Sequence, residues 1–306
     1  MTDVREWKGH SGPVLDEHEG FTIVDCKGCG FKHSLPVPEP EHQNSYYADD
    51  FMEERPLYLD RYLEDLDWWQ MVCEEKYEIL EGLLPPDRRK LLDVGCGLGL
   101  FCRTGAERGW DTLGIEPARQ SASYARSQGV EVINEPLSES LLDRLETFDV
   151  IHMHEVLEHL SDPRGTLRML RSLLSPNGLL CVVVPNDYNP LQSLLRDRGF
   201  PPWWVVPPVH LNYFDFESLE GLIERSGLHV ERRLATFPME LFLLMGENYV
   251  GNDSLGRSCH GRRKALELTL RAAGRGTLKT ALYGAFAEQG IGREIVMFAR
   301  READDD

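Results

Sequence analysis

The chain has 306 residues, with 33 Lys plus Arg against 51 Asp plus Glu, a formal charge of −18, and 42% hydrophobic residues. That acid excess excludes a global basic face able to replace counterions along a nucleic-acid backbone, so no DNA partner is expected. The apolar share is ample for a sizeable core, while no apolar run approaches the roughly 20 residues of a membrane helix, so no membrane association is expected either. Seven cysteines, an odd number scattered along the chain, fit reduced thiols, and Met1 to Trp7 lacks the basic-then-apolar order of a signal peptide. A cytoplasmic location follows as the expectation.

Five regions differ in texture. Residues 1–50 are rich in Gly, Pro and His, contain Cys26-Lys27-Gly28-Cys29, and read as a small loop-and-hairpin knuckle module. Residues 51–88 form a helical lead-in or lid. There Leu59, Tyr62, Leu63, Leu66, Trp69 and Val72 recur at three- and four-residue steps, until Pro85-Pro86 ends the run. Residues 89–236 alternate short apolar strands with amphipathic helices, the pattern of an α/β domain with a mainly parallel sheet. Strands are expected near 90–94, 111–116, 130–134, 148–153 and 179–185, with a helix over 164–174 closed by Pro176-Asn177-Gly178, then a helix over 217–226 and a strand over 228–236. Residues 237–293 are too long for a structureless loop and read as an insertion with helices near 240–249, 263–273 and 277–288, a cap or a contact for a homo-oligomer. Residues 294–306 give a last strand, Glu294 to Arg300, and an acidic tail.

The most informative stretch is Leu91-Leu92-Asp93-Val94-Gly95-Cys96-Gly97-Leu98-Gly99, a strand running through a glycine loop into a helix. Such a junction brings backbone amides and a helix N-terminus close to a ligand. A dinucleotide fingerprint requires a glycine where this chain has Leu100, and the spacing here is G-x-G-x-G. Three further segments accompany the loop in order: Leu113-Gly114-Ile115-Glu116-Pro117, Phe148-Asp149-Val150-Ile151-His152-Met153-His154-Glu155-Val156-Leu157-Glu158-His159, and Ser175-Pro176-Asn177-Gly178-Leu179-Leu180. Together they resemble the class I S-adenosylmethionine-dependent methyltransferases.

The resemblance implies a Rossmann-like seven-stranded sheet, here carrying the N-terminal knuckle module and a helical insertion before the last strand. It implies S-adenosyl-L-methionine as cofactor. By position, Gly95 and Gly97, with Cys96 between them, pass the methionine part, and Asp93 organises its amino end. Glu116 holds the ribose beside Pro117, Asn134, Glu135 and Leu137 border adenine, and His154 lies near the ligand. The expected reaction is methyl transfer to a small-molecule acceptor, a sugar or other hydroxylated metabolite. An RNA or protein methyltransferase and a catalytically inactive S-adenosylmethionine-binding protein stand as alternatives.

For a hydroxyl acceptor a histidine can serve as general base, with His159 the leading candidate ahead of His154 and His210, or else His159 only bonds the scaffold. Glu155, Glu158 and His159 stand at i, i+3 and i+4, so on a helical turn they would share a face and could chelate a divalent ion such as Mg. Ubiquinone-pathway O-methyltransferases and small-RNA 2′-O-methyltransferases are similar in this respect, and His210 is a candidate fourth ligand. Two aromatic stretches, Tyr46-Tyr47 and Phe200-Pro201-Pro202-Trp203-Trp204, are expected either to build the acceptor pocket or simply to pack. Related methyltransferases carry an N-terminal ribbon with two cysteine knuckles. The segment Trp7 to Gly12 takes the place of the first, so that His10, Cys26, Cys29 and His33 form a zinc site or a degenerate knuckle held by packing.

Overall fold

Two sheets organise the computed structural model, which describes residues 4–39 and 57–302; Tyr46, Tyr47 and the terminal aspartates lie outside the described residues. The first sheet is an antiparallel meander of β1 (Val4–Trp7), β2 (His10–His18), β3 (Phe21–Cys26) and β4 (Phe31–Leu35). Lys8-Gly9 and Glu19-Gly20 make its first two turns with φ positive at both residues of each pair. Two-residue turns of that type match the right-handed twist of paired strands. A fifth strand, β10 (Asn212–Tyr213), comes from far along the chain and pairs with β4, Asn212 opposite His33. The knuckle module is therefore a sheet stitched to the larger domain.

After it come α1 (Tyr58–Glu64) and α2 (Leu66–Leu83), then β5 (Lys90–Val94), α3 (Leu100–Glu107), β6 (Asp111–Ile115), α4 (Arg119–Ser127), β7 (Val132–Ile133), α5 (Glu139–Leu142), β8 (Phe148–His154), α6 (Pro163–Leu173), β9 (Leu174–Pro185) and α7 (Pro190–Asp197). Beyond β10 lie α8 (Phe216–Arg225), β11 (His229–Ala235), α9 (Glu240–Leu244), α10 (Asp253–Ala272), α11 (Gly276–Glu288) and β12 (Glu294–Arg300). The seven-stranded sheet has the order β11-β12-β9-β8-β5-β6-β7, with β12 antiparallel to both neighbours and β5 to β9 parallel.

Both faces of this sheet are covered, which is why β9 reads as an apolar run from Leu179 to Pro185. Leu180, Val182 and Val184 face α6 and α8, packing with Leu167, Leu170, Leu219 and Leu222. Leu179, Cys181 and Val183 face the other way, toward Tyr77 and Leu80 of α2 and Phe101 of α3.

The structure departs from the sequence reading in three places. The lead-in run breaks at Asp65, whose buried carboxylate is held from the insertion by Arg257 at 2.8 Å, by His260 at 3.2 Å and by Lys264. The second insertion helix begins at Asp253, well before 263. Gly256 and Gly261 hide its first half from propensity, and its ion pairs to the lead-in hold it. Helix α7, with Asn189 accepting from the amides of Leu191 and Gln192 as its cap, falls where the sequence reading places no element.

Candidate functional site

Strand β5 ends in the glycine loop. Gly95, Gly97 and Gly99 all have positive φ. At Gly95 a Cβ would stand 2.5 Å from Val156 Cγ2, so a side chain is excluded on two grounds. Asp93, the last polar residue of β5, is almost fully buried. Its Oδ1 lies 2.7 Å from His152 Nδ1 on the neighbouring strand, and Cys102 Sγ is 3.8 Å from its Oδ2. Burial lowers the basicity of His152, so its neutral ring donates Nδ1–H to Asp93, and Phe101 stacks on it at 3.8 Å. His152 was missed in the sequence because a histidine inside a strand reads as scaffold; its alternation with His154 on one face was the available signal.

Glu116 follows β6 and bends back over the loop. Its Oε2 accepts from the Gly97 amide at 2.8 Å and its Oε1 from the Ala118 amide at 2.8 Å. Burial raises its affinity for a proton, and the two amides work against that rise. Each oxygen keeps a second lone-pair direction for a donor from a ligand. Cys96 is buried against Ala122 and Val132, and Gly114 leaves room for its sulfur. Asn134 donates from Nδ2 to the carbonyls of Glu116 and Pro117, a bracket across the strand ends. Glu135 points outward to Arg144 at 2.5 Å, and Leu137 packs on the core.

The end of β8 places the remaining candidates. His154 lies with Trp69 ring-to-ring at 5.8 Å, and its buried Nε2 has no hydrogen-bond partner among the described residues. Burial first, then the positive charge of Lys76, pushes its pKa well below the usual imidazole range. Glu155 adopts φ 53, so the helical turn expected over Glu155, Glu158 and His159 does not form; a short 3₁₀ turn, Leu157–His159, follows instead. In consequence the three residues do not form one set. Ligand atoms of Glu158, His159 and His210 lie within 4.8 Å of one another, whereas Glu155 groups with His154 and Glu294.

Glu158 is 1% exposed, and neither carboxylate oxygen has a hydrogen-bond partner among the described residues. Burial raises its pKa well above the carboxylate range, aided by Glu155. His159 donates Nδ1–H to the Val209 carbonyl at 2.6 Å and turns Nε2 toward Glu158 at 3.7 Å. Asn212 fixes this corner by donating to the Leu157 and Leu160 carbonyls at 3.1 and 2.7 Å. Of the two roles expected for the aromatic stretch before it, Trp204 takes packing: with Val205 it is buried against Ile23 of β3 and Tyr213 of β10, on the N-terminal sheet.

In the N-terminal sheet His10, Cys26, Cys29 and His33 converge, with their ligand atoms within 4.8 Å of one another. His10 Nδ1 is 3.1 Å from His33 Nε2 and 3.3 Å from Cys29 Sγ. They come from β2, the end of β3, the following turn and β4, so the meander itself builds the cluster.

The strand order, the glycine loop after β5 and the carboxylate after β6 define a class I S-adenosylmethionine-dependent methyltransferase with a Rossmann-like sheet. The chain belongs to the family described as "Methyltransferase domain", whose model matches residues 66–232. Among curated proteins it is similar to ubiquinone biosynthesis O-methyltransferases. That of Ruegeria pomeroyi is 37% identical over 153 residues, covering 47% of this chain and 62% of that protein. One from Cereibacter sphaeroides is 36% identical over 179 residues, 55% of this chain and 72% of the relative. The chain spans about half the length of the Caulobacter sp. relative, 54%, at 33% identity over 42% of this chain. Among solved structures, a methyltransferase from Archaeoglobus fulgidus superposes with TM-score 0.50 at 15% identity, covering 78% of this chain and 99% of that one. The plantazolicin methyltransferase BpumL, in complex with S-adenosylhomocysteine, gives 0.50 at 16%, with 85% and 93% covered. At such identities these two speak for the fold alone. No helix among the described residues is long and apolar enough to cross a membrane.

Proposed function

We propose that this methyltransferase transfers a methyl group to a hydroxyl oxygen of a small-molecule acceptor, a sugar or another hydroxylated metabolite. The names of its curated relatives support an oxygen acceptor. The observation that carries the reading is the corner formed by Glu158, His159 and His210 at the end of β8, adjoining the glycine loop. S-Adenosylmethionine, when bound, supplies an electrophilic methyl on a sulfonium. The chain's own residues then do the rest. Asp93, oriented by His152, accepts from the amino end; Glu116 accepts from the ribose hydroxyls; and Gly95 and Gly97 let the backbone approach. Asn134, Glu135 and Leu137 border the base, with Cys96 and Pro117 filling behind. His159, its Nδ1 proton committed to Val209, presents Nε2 as the atom that takes the acceptor's proton, with His154 and His210 as the candidates behind it.

A second reading is favoured by one observation: the buried oxygens of Glu158, without hydrogen-bond partners among the described residues, suit a divalent cation, Mg by hardness, held with His159 and His210. The cation would hold the acceptor oxygen and His159 would no longer be the base. Transfer of labelled methyl to a panel of hydroxylated acceptors, with and without EDTA, separates the two. The base reading expects turnover insensitive to EDTA and lowered about 10²- to 10⁴-fold in His159→Asn. The cation reading expects EDTA to abolish turnover and Mg to restore it. No methylated product from any hydroxylated acceptor, beside ready N-methylation of amines, would overturn both.

We further propose that His10, Cys26, Cys29 and His33 hold one structural zinc. A Cys₂His₂ donor set is tetrahedral zinc chemistry, and a meander this small gains from such a staple. Metal analysis of the purified protein should find one zinc per chain, lost in Cys26→Ser; absence of zinc from protein purified without chelator would overturn it. The reduced cysteines and lack of an apolar span support a cytoplasmic location.

A further inference from the structure

A cavity of about 70 Å³ lies between α2, helix α11 of the insertion and the sheet face made by β9, β11 and β12. It opens beside His154, on the half of the sheet away from β6 and β7, where Glu116 and Asn134 sit. Its charged wall residues are mostly neutralised in place. Lys279 pairs with Glu75 at 2.6 Å and Glu267 at 3.6 Å, Arg263 pairs with Glu267 at 2.9 Å, and Glu294, grouped with His154 and Glu155, has the charge of the Arg293 guanidinium to balance it.

Lys76 is the exception. It lies on the inward stripe of α2 between Cys73 and Leu80, where helical spacing calls for an apolar residue. It is only 7% exposed, and no carboxylate or hydrogen-bond acceptor among the described residues pairs with its ammonium; Nζ stands 5.9 Å from the Phe101 ring centre. The side chain is enclosed among apolar neighbours, where an ammonium without a counter-ion is costly to hold, and a ligand anion would supply the missing partner.

We propose that this cavity receives a carboxylate of the acceptor and that Lys76 is the residue that reads it. The inference rests on the methyltransferase reading and deepens it: the acceptor carries a hydroxyl, presented near His154, and a carboxylate that enters the cavity. The volume suits a group of a few heavy atoms, so the body of the acceptor stays toward the mouth, against Trp69. The insertion, through Lys279 and Tyr283, closes the far wall, and so takes part in choosing the acceptor.

The test uses the full chain with S-adenosylhomocysteine present, 3,4-dihydroxybenzoate as probe and catechol as the same ring without the carboxylate. Lys76→Met, which fills the space without a charge, should melt about 3 °C or more above wild type when no probe is present. Millimolar 3,4-dihydroxybenzoate should raise the melting temperature of wild type and leave Lys76→Met unmoved, and catechol should move neither. A Lys76→Met protein that melts at or below wild type, or a probe shift equal in both proteins, zero included, overturns the proposal. Calorimetry with S-adenosylhomocysteine keeps the two levels apart. Loss of that binding in Lys76→Met alone would assign Lys76 to the cofactor and overturn the acceptor role, whereas its absence in wild type would remove the methyltransferase reading itself.

Discussion

Replacing Glu116 by Gln keeps size and shape and removes one acceptor. In the wild type both carboxylate oxygens are already engaged by backbone amides, Gly97 on one side and Ala118 on the other, each at 2.8 Å. A glutamine must set its NH₂ against one of these N–H groups or turn away from both. In either case the paired acceptor offered to a ribose diol is lost. Hydrogen bonds to a charged group are worth about 1.5–3 kcal/mol each, so losing one weakens S-adenosylmethionine binding by about 1.5–3 kcal/mol, or roughly 10- to 150-fold in Kd. Stability should change far less, because a neutral amide is cheaper to bury than the carboxylate whose proton affinity burial raises. Isothermal titration calorimetry gives the affinity, and a thermal melt without ligand gives the control. A Kd within about threefold of wild type in a folded Glu116→Gln protein would refute the placement of the ribose on this carboxylate.

Two further outcomes follow from the site. His152→Leu leaves Asp93 buried with only a thiol beside it, so stability should fall by about 3–5 kcal/mol, with a melting temperature lower by roughly 6 °C or more; an unchanged melt would mean that the pair does not organise the loop. Asp187, buried after β9, has its pKa pushed up from 3.8 to about 8 by burial first, then by Glu240. The folded protein therefore holds a proton that the unfolded chain releases, and this contribution to stability is lost as pH rises from about 4 to about 8. Asp187→Asn has no such proton, so its stability should gain on wild type by up to about 1.4 kcal/mol per pH unit across that window, read by denaturant unfolding at several pH values. A difference independent of pH would contradict the shift.

The strands and the cofactor loop were legible because each is written locally. An apolar run ends in Asp93, three glycines follow at fixed spacing, and acid Glu116 ends the next strand. What the sequence hid was set by distant partners. Asp65 ends a helix because residues almost two hundred positions later bind its carboxylate, and Gly256 and Gly261 sit in a helix that ion pairs hold. The face of a short motif was also unreadable: Glu155, Glu158 and His159 have helical spacing, yet one residue at φ 53 sends Glu155 to a different side. Trp203 and Trp204 could be read either as pocket walls or as packing, because aromatic residues suit both ligands and cores, and Trp204 packs on the N-terminal sheet. All four members of the knuckle, His10, Cys26, Cys29 and His33, were legible in the sequence, and strand pairing is what brings them together.

The most direct measurement is calorimetric titration of S-adenosylmethionine into the wild-type protein and into Gly97→Arg. Gly97 has φ 54, its amide bonds Glu116, and the Tyr58 hydroxyl would stand 3.7 Å from a Cβ placed there, so an arginine both strains the loop and fills the approach to the ligand. Wild type should bind one S-adenosylmethionine per chain, and Gly97→Arg should give no measurable heat of binding while remaining folded. Equal binding by the two proteins would contradict the location of the cofactor in this cleft.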